Sequence, residues 1–180
     1  MEHFNEKIIG WFTFKRLYSD MVKKFPSGST FIEVGCYEGK SFAYLMVEMV
    51  NAEKTFNITA VDSFTFTGEN GKPILQNFIE HMKPFNGMYN IIKANSWDAA
   101  KMFEDESVDY IHIDCDHVYE SVKKDINAWW PKLKVGCIMS GHDYLCVEHP
   151  GVEQAVHEFF GKENICTDYV DELCWLIKKK

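Results

Sequence analysis

The chain has 180 residues, with 19 Lys and Arg against 27 Asp and Glu, a net charge of −8 with histidine neutral. Phosphate backbones are bound by clustered Lys and Arg; the acidic balance, with Arg16 the only arginine, argues against nucleic acid as the main partner. A hydrophobic share of 46% and a charged share of 26% are those of a folded globular chain, and the length predicts one domain spanning 1–180.

Residues 3–24 interleave Phe4, Ile8, Trp11, Phe12, Leu17, Tyr18 and Met21 with charges, which predicts an amphipathic helix. It is an addition (1–27) to a core expected over 28–180. Within that core a strand at 30–35 breaks at glycine and leads into a helix at 41–50. A second strand, 55–61, ends at Asp62, and a second helix lies at 73–82. A third strand, 89–93, passes through Asn95 and Ser96 into a helix beginning near Trp97. Strand 108–113 ends at Asp114, helix 118–130 stops at Pro131, and a fifth strand covers 136–140.

Strands alternating with helices imply a parallel sheet covered on both faces by helices. After a helix at 151–160, residues 164–169 and 172–177 read as two strands joined by a tight turn at Val170 and Asp171, and so antiparallel to each other. The expected fold is α/β and Rossmann-like. Its seven-stranded mixed sheet is mostly parallel, with an antiparallel C-terminal hairpin.

The six cysteines form no Cys-x-x-Cys pair and sit mostly in apolar runs, so they read as reduced, buried thiols. No leader pattern opens the chain, and no apolar run reaches the ~18 residues of a bilayer span. A cytoplasmic protein without membrane contact is expected. Trp11, Phe12 and Phe14 could pack on the core or on a second subunit, and the reading leans toward a homodimer.

Ligands of such sheets sit at the carboxyl ends of the strands, where two constellations stand out. The first is the run from Glu33 to Ser41, in which Gly35 and Gly39 let a ligand approach the backbone in front of a helix amino-terminus. Tyr37 stands where a dinucleotide G-x-G-x-x-G fingerprint has its second glycine, which disfavours a nicotinamide oxidoreductase. Asp62, ending the second strand, is placed to accept hydrogen bonds from ribose hydroxyls, or else to cap a turn. Glu33, a carboxylate inside an apolar strand, needs partners.

The second constellation joins Asp114, Asp116 and His117 to His142 and Asp143 on the next strand, about 4.8 Å away. Asp114, His142 and Asp143 make a plausible divalent-metal set, and His117 could serve as a general base. The alternatives are a helix cap at His117 and a plain loop histidine at His142. His112 reads as a satisfied core histidine, and His149, before a proline, carries no signal.

Glu33-x-Gly35-x-x-x-Gly39, Asp62, Ile113-Asp114-x-x-His117-x-Tyr119-Glu120 and Gly141-His142-Asp143-Tyr144 together resemble class I S-adenosylmethionine-dependent methyltransferases. Within these the chain is most similar, over residues 28–177, to the small-molecule O-methyltransferases of the macrocin and macrolide-sugar type. The resemblance implies a seven-stranded sheet with its last strand antiparallel. It also implies that the turn holding Glu33, Gly35, Cys36, Tyr37, Gly39 and Ser41 wraps the methionine part of S-adenosylmethionine. Asp62 and Ser63 would then meet the ribose, and Asn95, Ser96 and Trp97 would border the adenine. Asp114 would touch the cofactor and, with His142 and Asp143, hold Mg2+, while His117 would deprotonate a small-molecule acceptor. Metal-dependent members carry two adjacent acids where this chain has His142 before Asp143, which weakens the case for magnesium. A non-catalytic cofactor-binding module is the reading outside the enzymes.

Overall fold

In the computed structural model, which describes all 180 residues, the β-rich runs form the centre of the molecule. The elements are α1 (Lys15–Lys24), β1 (Thr30–Val34), α2 (Lys40–Asn51), β2 (Asn57–Asp62), α3 (Ile74–His81), β3 (Tyr89–Lys93) and α4 (Ser96–Ala100). They continue with β4 (Val108–Ile113), α5 (Tyr119–Trp129), β5 (Leu133–Gly141), α6 (Pro150–Phe160) and β6 (Trp175–Lys178). Side chains alternate across the sheet with the two-residue period of a strand. Phe31 and Tyr110 enter one core with Phe14, Tyr18, Phe42 and Phe78. Ile32, Val34 and Ile111 enter the other with Ile126, Trp129 and Val156. With both faces covered, most side chains of β1, β2 and β4 are buried, as in parallel sheets generally.

The sheet order is β3-β2-β1-β4-β5-β6. β1 pairs in parallel with β2 on one side and β4 on the other, so the order reverses there and opens a crevice at the carboxyl ends. β6 runs antiparallel to β5, Gly141 facing Trp175 and Ile138 facing Lys178.

Six strands form, not seven. The strand expected at 164–169 is reduced to one bridge between Cys166 and Leu176, because the following residues hold α1 instead. The Glu172 carboxylate accepts the backbone N–H groups of Arg16 (2.8 Å) and Leu17 (3.0 Å), which a helix amino-terminus otherwise leaves without partners. The Tyr169 hydroxyl donates to Asp20 (3.1 Å). Val170–Glu172 winds into a 3-10 turn, not the hairpin turn expected there.

The amino-terminal helix is also shorter than expected. Only Lys15–Lys24 is α-helical, after a 3-10 turn at Asn5–Lys7 and an irregular stretch interrupted at Gly10. That stretch sends Phe12 and Phe14 onto the chain's own core, edge to face at 4.7 Å, while Trp11 is 89% exposed. No helix is long and apolar enough to cross a membrane.

Candidate functional site

A cavity of about 510 Å³ opens at the carboxyl ends of β1, β2 and β4, a size suited to a small organic ligand. Gly35, Tyr37, Asp62, Ser63, Asn95, Ser96, Trp97, Asp114 and His117 line it, together with Phe66, Asp116 and Asp125. Four residues expected on its wall are elsewhere. Gly39 lies under the Phe78 ring, where an added Cβ would come within 3.0 Å of a ring carbon. Cys36 is buried with its thiol toward the Glu33 carbonyl (3.4 Å). The Glu33 carboxylate is itself buried, accepting the hydroxyls of Ser41 (2.6 Å) and Tyr18 (2.7 Å). These two supply the partners a buried acid needs, and they come from α2 and α1.

Burial pushes the Glu33 carboxyl from 4.5 up to about 8, against the pull of those hydroxyls. Between these values the folded chain keeps a proton that the unfolded chain releases. The contribution of Glu33 is therefore fully present below its unfolded pKa and is lost as pH rises through the folded one. Glu33→Gln is expected to remove this dependence, changing the wild-type-minus-variant stability by a few kcal/mol across the window at about 1.4 kcal/mol per unit. Urea unfolding from about pH 5 to 8 checks it; parallel curves for the two proteins would refute the assignment.

Asp62 fastens the turn after β1. Its Oδ2 accepts the N–H groups of Cys36 and Tyr37, each at 2.9 Å, and its Oδ1 accepts that of Phe64 at 2.7 Å. Tyr37 is held at φ +47°, a left-handed conformation that is costly for a bulky side chain. A carboxylate has about four acceptor positions, so three bonds leave room for a ligand donor.

Asp114, His117, His142 and Asp143 do converge. His117 Nε2 lies 2.8 Å from Asp143 Oδ2 and 3.8 Å from Asp114 Oδ1. His142 Nδ1 lies 3.1 Å from Asp143 and 3.7 Å from Asp114. The Thr13 hydroxyl donates to the Glu172 carbonyl (2.9 Å), so its oxygen accepts from His142 Nε2–H at 2.8 Å. That fixes the ring: Nδ1 is the nitrogen left to meet the carboxylates. Ligand atoms of Asp114, His142 and Asp143 lie within 4.8 Å of one another, as do those of His117, Asp143 and His149.

The charges in this cluster sustain one another. Asp114 and Asp143, outweighing burial, hold the His117 imidazole up at about 10. Burial pulls His142 down, but the same carboxylates override it and hold it at about 9. Burial alone would raise both acids, yet the two rings keep Asp114 at about 2 and Asp143 well below the usual carboxylate range.

Sequence reasoning missed three residues here. His149, the residue before α6, stacks on His117 with ring centroids 4.2 Å apart; nothing local to it marks that contact. Thr13 was hidden in a stretch expected to be helical. Asp125 was visible as a carboxylate on the apolar face of α5 made by Val122, Ile126 and Trp129. His112 is buried as expected, and burial takes its imidazole down to about 3. Its Nε2, however, has no hydrogen-bond partner.

A family model described as a methyltransferase domain matches residues 32–144, more than half of the chain. The chain belongs to this methyltransferase family. The matched segment runs from β1 to the residue after Asp143, taking in the cavity and the His and Asp cluster. The chain is 26% identical over 121 residues to the uncharacterised protein y4gI of Sinorhizobium fredii, a match covering 66% of this chain and 13% of y4gI. Among solved structures, the O-methyltransferase NovP superposes with a TM-score of 0.69 at 17% identity, covering 93% of this chain and 80% of NovP. CalS11, a TDP-rhamnose 3'-O-methyltransferase of calicheamicin biosynthesis, gives 0.67 at 14%, covering 91% and 76%. A Clostridium thermocellum chain described as an rRNA methylase gives 0.64 at 14%, covering 94% and 97%. At these identities the likeness is one of fold, and a fold does not select an acceptor.

Proposed function

We propose that this methyltransferase moves the methyl group of S-adenosylmethionine to the hydroxyl oxygen of a small molecule, a sugar or sugar-bearing metabolite. The observation that carries the reading is one cavity lined both by Asp62, the turn after β1, Asn95, Ser96 and Trp97 and by Asp114 and His117. The first set fits a ribonucleoside with an attached amino acid, since Asp62 keeps free acceptor capacity for hydroxyls. Glu33, Cys36, Gly39 and Ser41 support that turn from behind. The sugar acceptor is taken over from CalS11, one of the proteins that share this fold, and the net charge of −8 speaks against nucleic acid.

When bound, S-adenosylmethionine supplies a sulfonium carbon that an oxygen nucleophile attacks. The chain's own work is alignment and deprotonation. His117 accepts the hydroxyl proton as the oxygen–methyl bond forms and the carbon–sulfur bond breaks, leaving S-adenosylhomocysteine. Only a neutral imidazole can accept it. Asp114, His142 and Asp143 fit a divalent cation: two carboxylates and one imidazole, whose second nitrogen is oriented by Thr13 as second partners of metal-binding histidines are. Such a cation would offset the two carboxylates and polarise the hydroxyl. The imidazole makes the set suited to transition metals as well as magnesium.

Calorimetry with S-adenosylhomocysteine, repeated with magnesium and with chelator, should show one site per chain. Labelled S-adenosylmethionine with a panel of nucleotide sugars should then give a labelled product. His117→Ala is expected to slow transfer by about 10²- to 10⁴-fold with S-adenosylhomocysteine affinity retained. Absence of binding in both conditions would overturn the reading, and an unaffected rate in the variant would remove His117 as the base.

A further inference from the structure

We infer that His117, His149 and Asp143 form a site for a transition cation of the zinc type, sharing only Asp143 with the Asp114, His142 and Asp143 set. Two imidazoles and one carboxylate make a three-ligand zinc set whose fourth position stays open, and nitrogen ligands favour such cations over magnesium. The ligand atoms of the three residues lie within 4.8 Å of one another. Ligands of a tetrahedral zinc stand about 3.3 Å apart when each is about 2.0 Å from the metal, a difference that side-chain rotation covers. His117 Nε2 is already 2.8 Å from Asp143 Oδ2. Because His117 also lines the cavity, the site is open to solutes from that side.

The backbone holds His149 in this place. Between Asp143 and His149 the chain is tied into two successive turns, the Cys146 N–H donating to the Asp143 carbonyl (3.3 Å) and the His149 N–H to the Cys146 carbonyl (3.0 Å). The start of α6 then presses on the segment after His117. A Cβ on Gly151 would come 2.7 Å from the Tyr119 nitrogen and 2.9 Å from the His117 carbonyl oxygen, so glycine is what permits the approach. The outcome is the stack of the His117 and His149 rings, inclined by 25°. Both rings are half-buried, and the His149 side chain does not cap α6, so neither the core nor the helix end accounts for it. A cation bound here takes the place of any proton on His117, which passes to solvent. It also occupies the lone pair with which that imidazole receives the acceptor proton, and methyl transfer stops; this consequence rests on His117 as the base, whereas the site itself does not.

The test is calorimetry of the full chain with zinc sulfate. Wild type should bind zinc, and His149→Ala, with its fold checked by circular dichroism, should bind it at least about ten-fold more weakly, since losing a ligand costs no less than losing one of its outer partners. Asp114→Asn, which alters a ligand of the other set alone, should lose less zinc affinity than His149→Ala. In wild type, zinc should also shield His149 from acylation by diethyl pyrocarbonate, read by peptide mass spectrometry, a measurement that needs no variant. Absence of zinc binding, equal affinity of wild type and His149→Ala, a larger loss in Asp114→Asn, or acylation of His149 undiminished by zinc would each overturn the site. Zinc bound at His149 with methyl transfer unimpaired would uphold the site and remove His117 as the base, so the two readings fail separately.

Discussion

Gly35→Ala is expected to destabilise the fold by at least about 3 kcal/mol more than Gly28→Ala. Both glycines have a φ near +90°, so both substitutions carry the left-handed penalty, on the order of 1–2 kcal/mol. They differ in surroundings. A Cβ on Gly28 meets nothing within 4 Å, whereas one on Gly35 would lie 1.9 Å from the Asp114 carbonyl oxygen and 2.7 Å from the Cys115 nitrogen. Those atoms are backbone at the end of β4, and the Asp114 N–H is itself bonded to the Val34 carbonyl at 2.7 Å. Relief would have to part β1 from β4, the two strands whose ends make the crevice. Urea denaturation of both variants gives the comparison, and a difference under about 1 kcal/mol would mean that the two strand ends are not packed as described. Because Gly35 also lines the cavity, the folded fraction of the variant should bind S-adenosylhomocysteine poorly.

The central fold was legible because its signals are local. Each parallel strand is a short β-rich run ending in a residue of distinct chemistry, such as Asp62, Asp114 or His142 with Asp143, and each helix follows within a few residues. The two ends of the chain were misread for one shared reason: their partners are each other. Residues 164–173 have the composition of a strand, but Glu172 and Tyr169 are taken up by α1, about 150 positions earlier, and Thr13 reaches back to the Glu172 carbonyl. Pairings at that separation leave no periodicity in either segment. The same holds for His149, whose importance comes from the His117 ring against which α6 places it. Glu33 shows the converse error. A glycine turn with a nearby acid looks like a ligand wall, but the Tyr18 hydroxyl of α1 closes over that carboxylate, and of the turn Gly35 and Tyr37 line the cavity.

The cavity face of that turn depends on Asp62, and Asp62→Ala is expected to lower S-adenosylhomocysteine affinity by about 100-fold or more, near 2.7 kcal/mol at 1.4 kcal/mol per decade. Two losses combine. The ligand loses a charged acceptor, a bond of about 1.5–3 kcal/mol. The turn loses the oxygen that gathers the Cys36 and Tyr37 N–H groups, so the left-handed Tyr37 backbone is no longer held and its strain is released by movement. The same change leaves three N–H groups short of their acceptor, for a stability loss of about 2–4 kcal/mol. Asp62→Asn separates the two effects. Its single carbonyl oxygen can still receive Cys36 and Tyr37, but its amide then faces the Phe64 N–H donor to donor, and no charge remains for the ligand. Stability should recover in part while affinity stays low. Calorimetry and urea unfolding on both variants decide it: if Asp62→Ala binds S-adenosylhomocysteine as tightly as wild type, Asp62 is a turn fastener alone and the ribose contact lies elsewhere in the cavity.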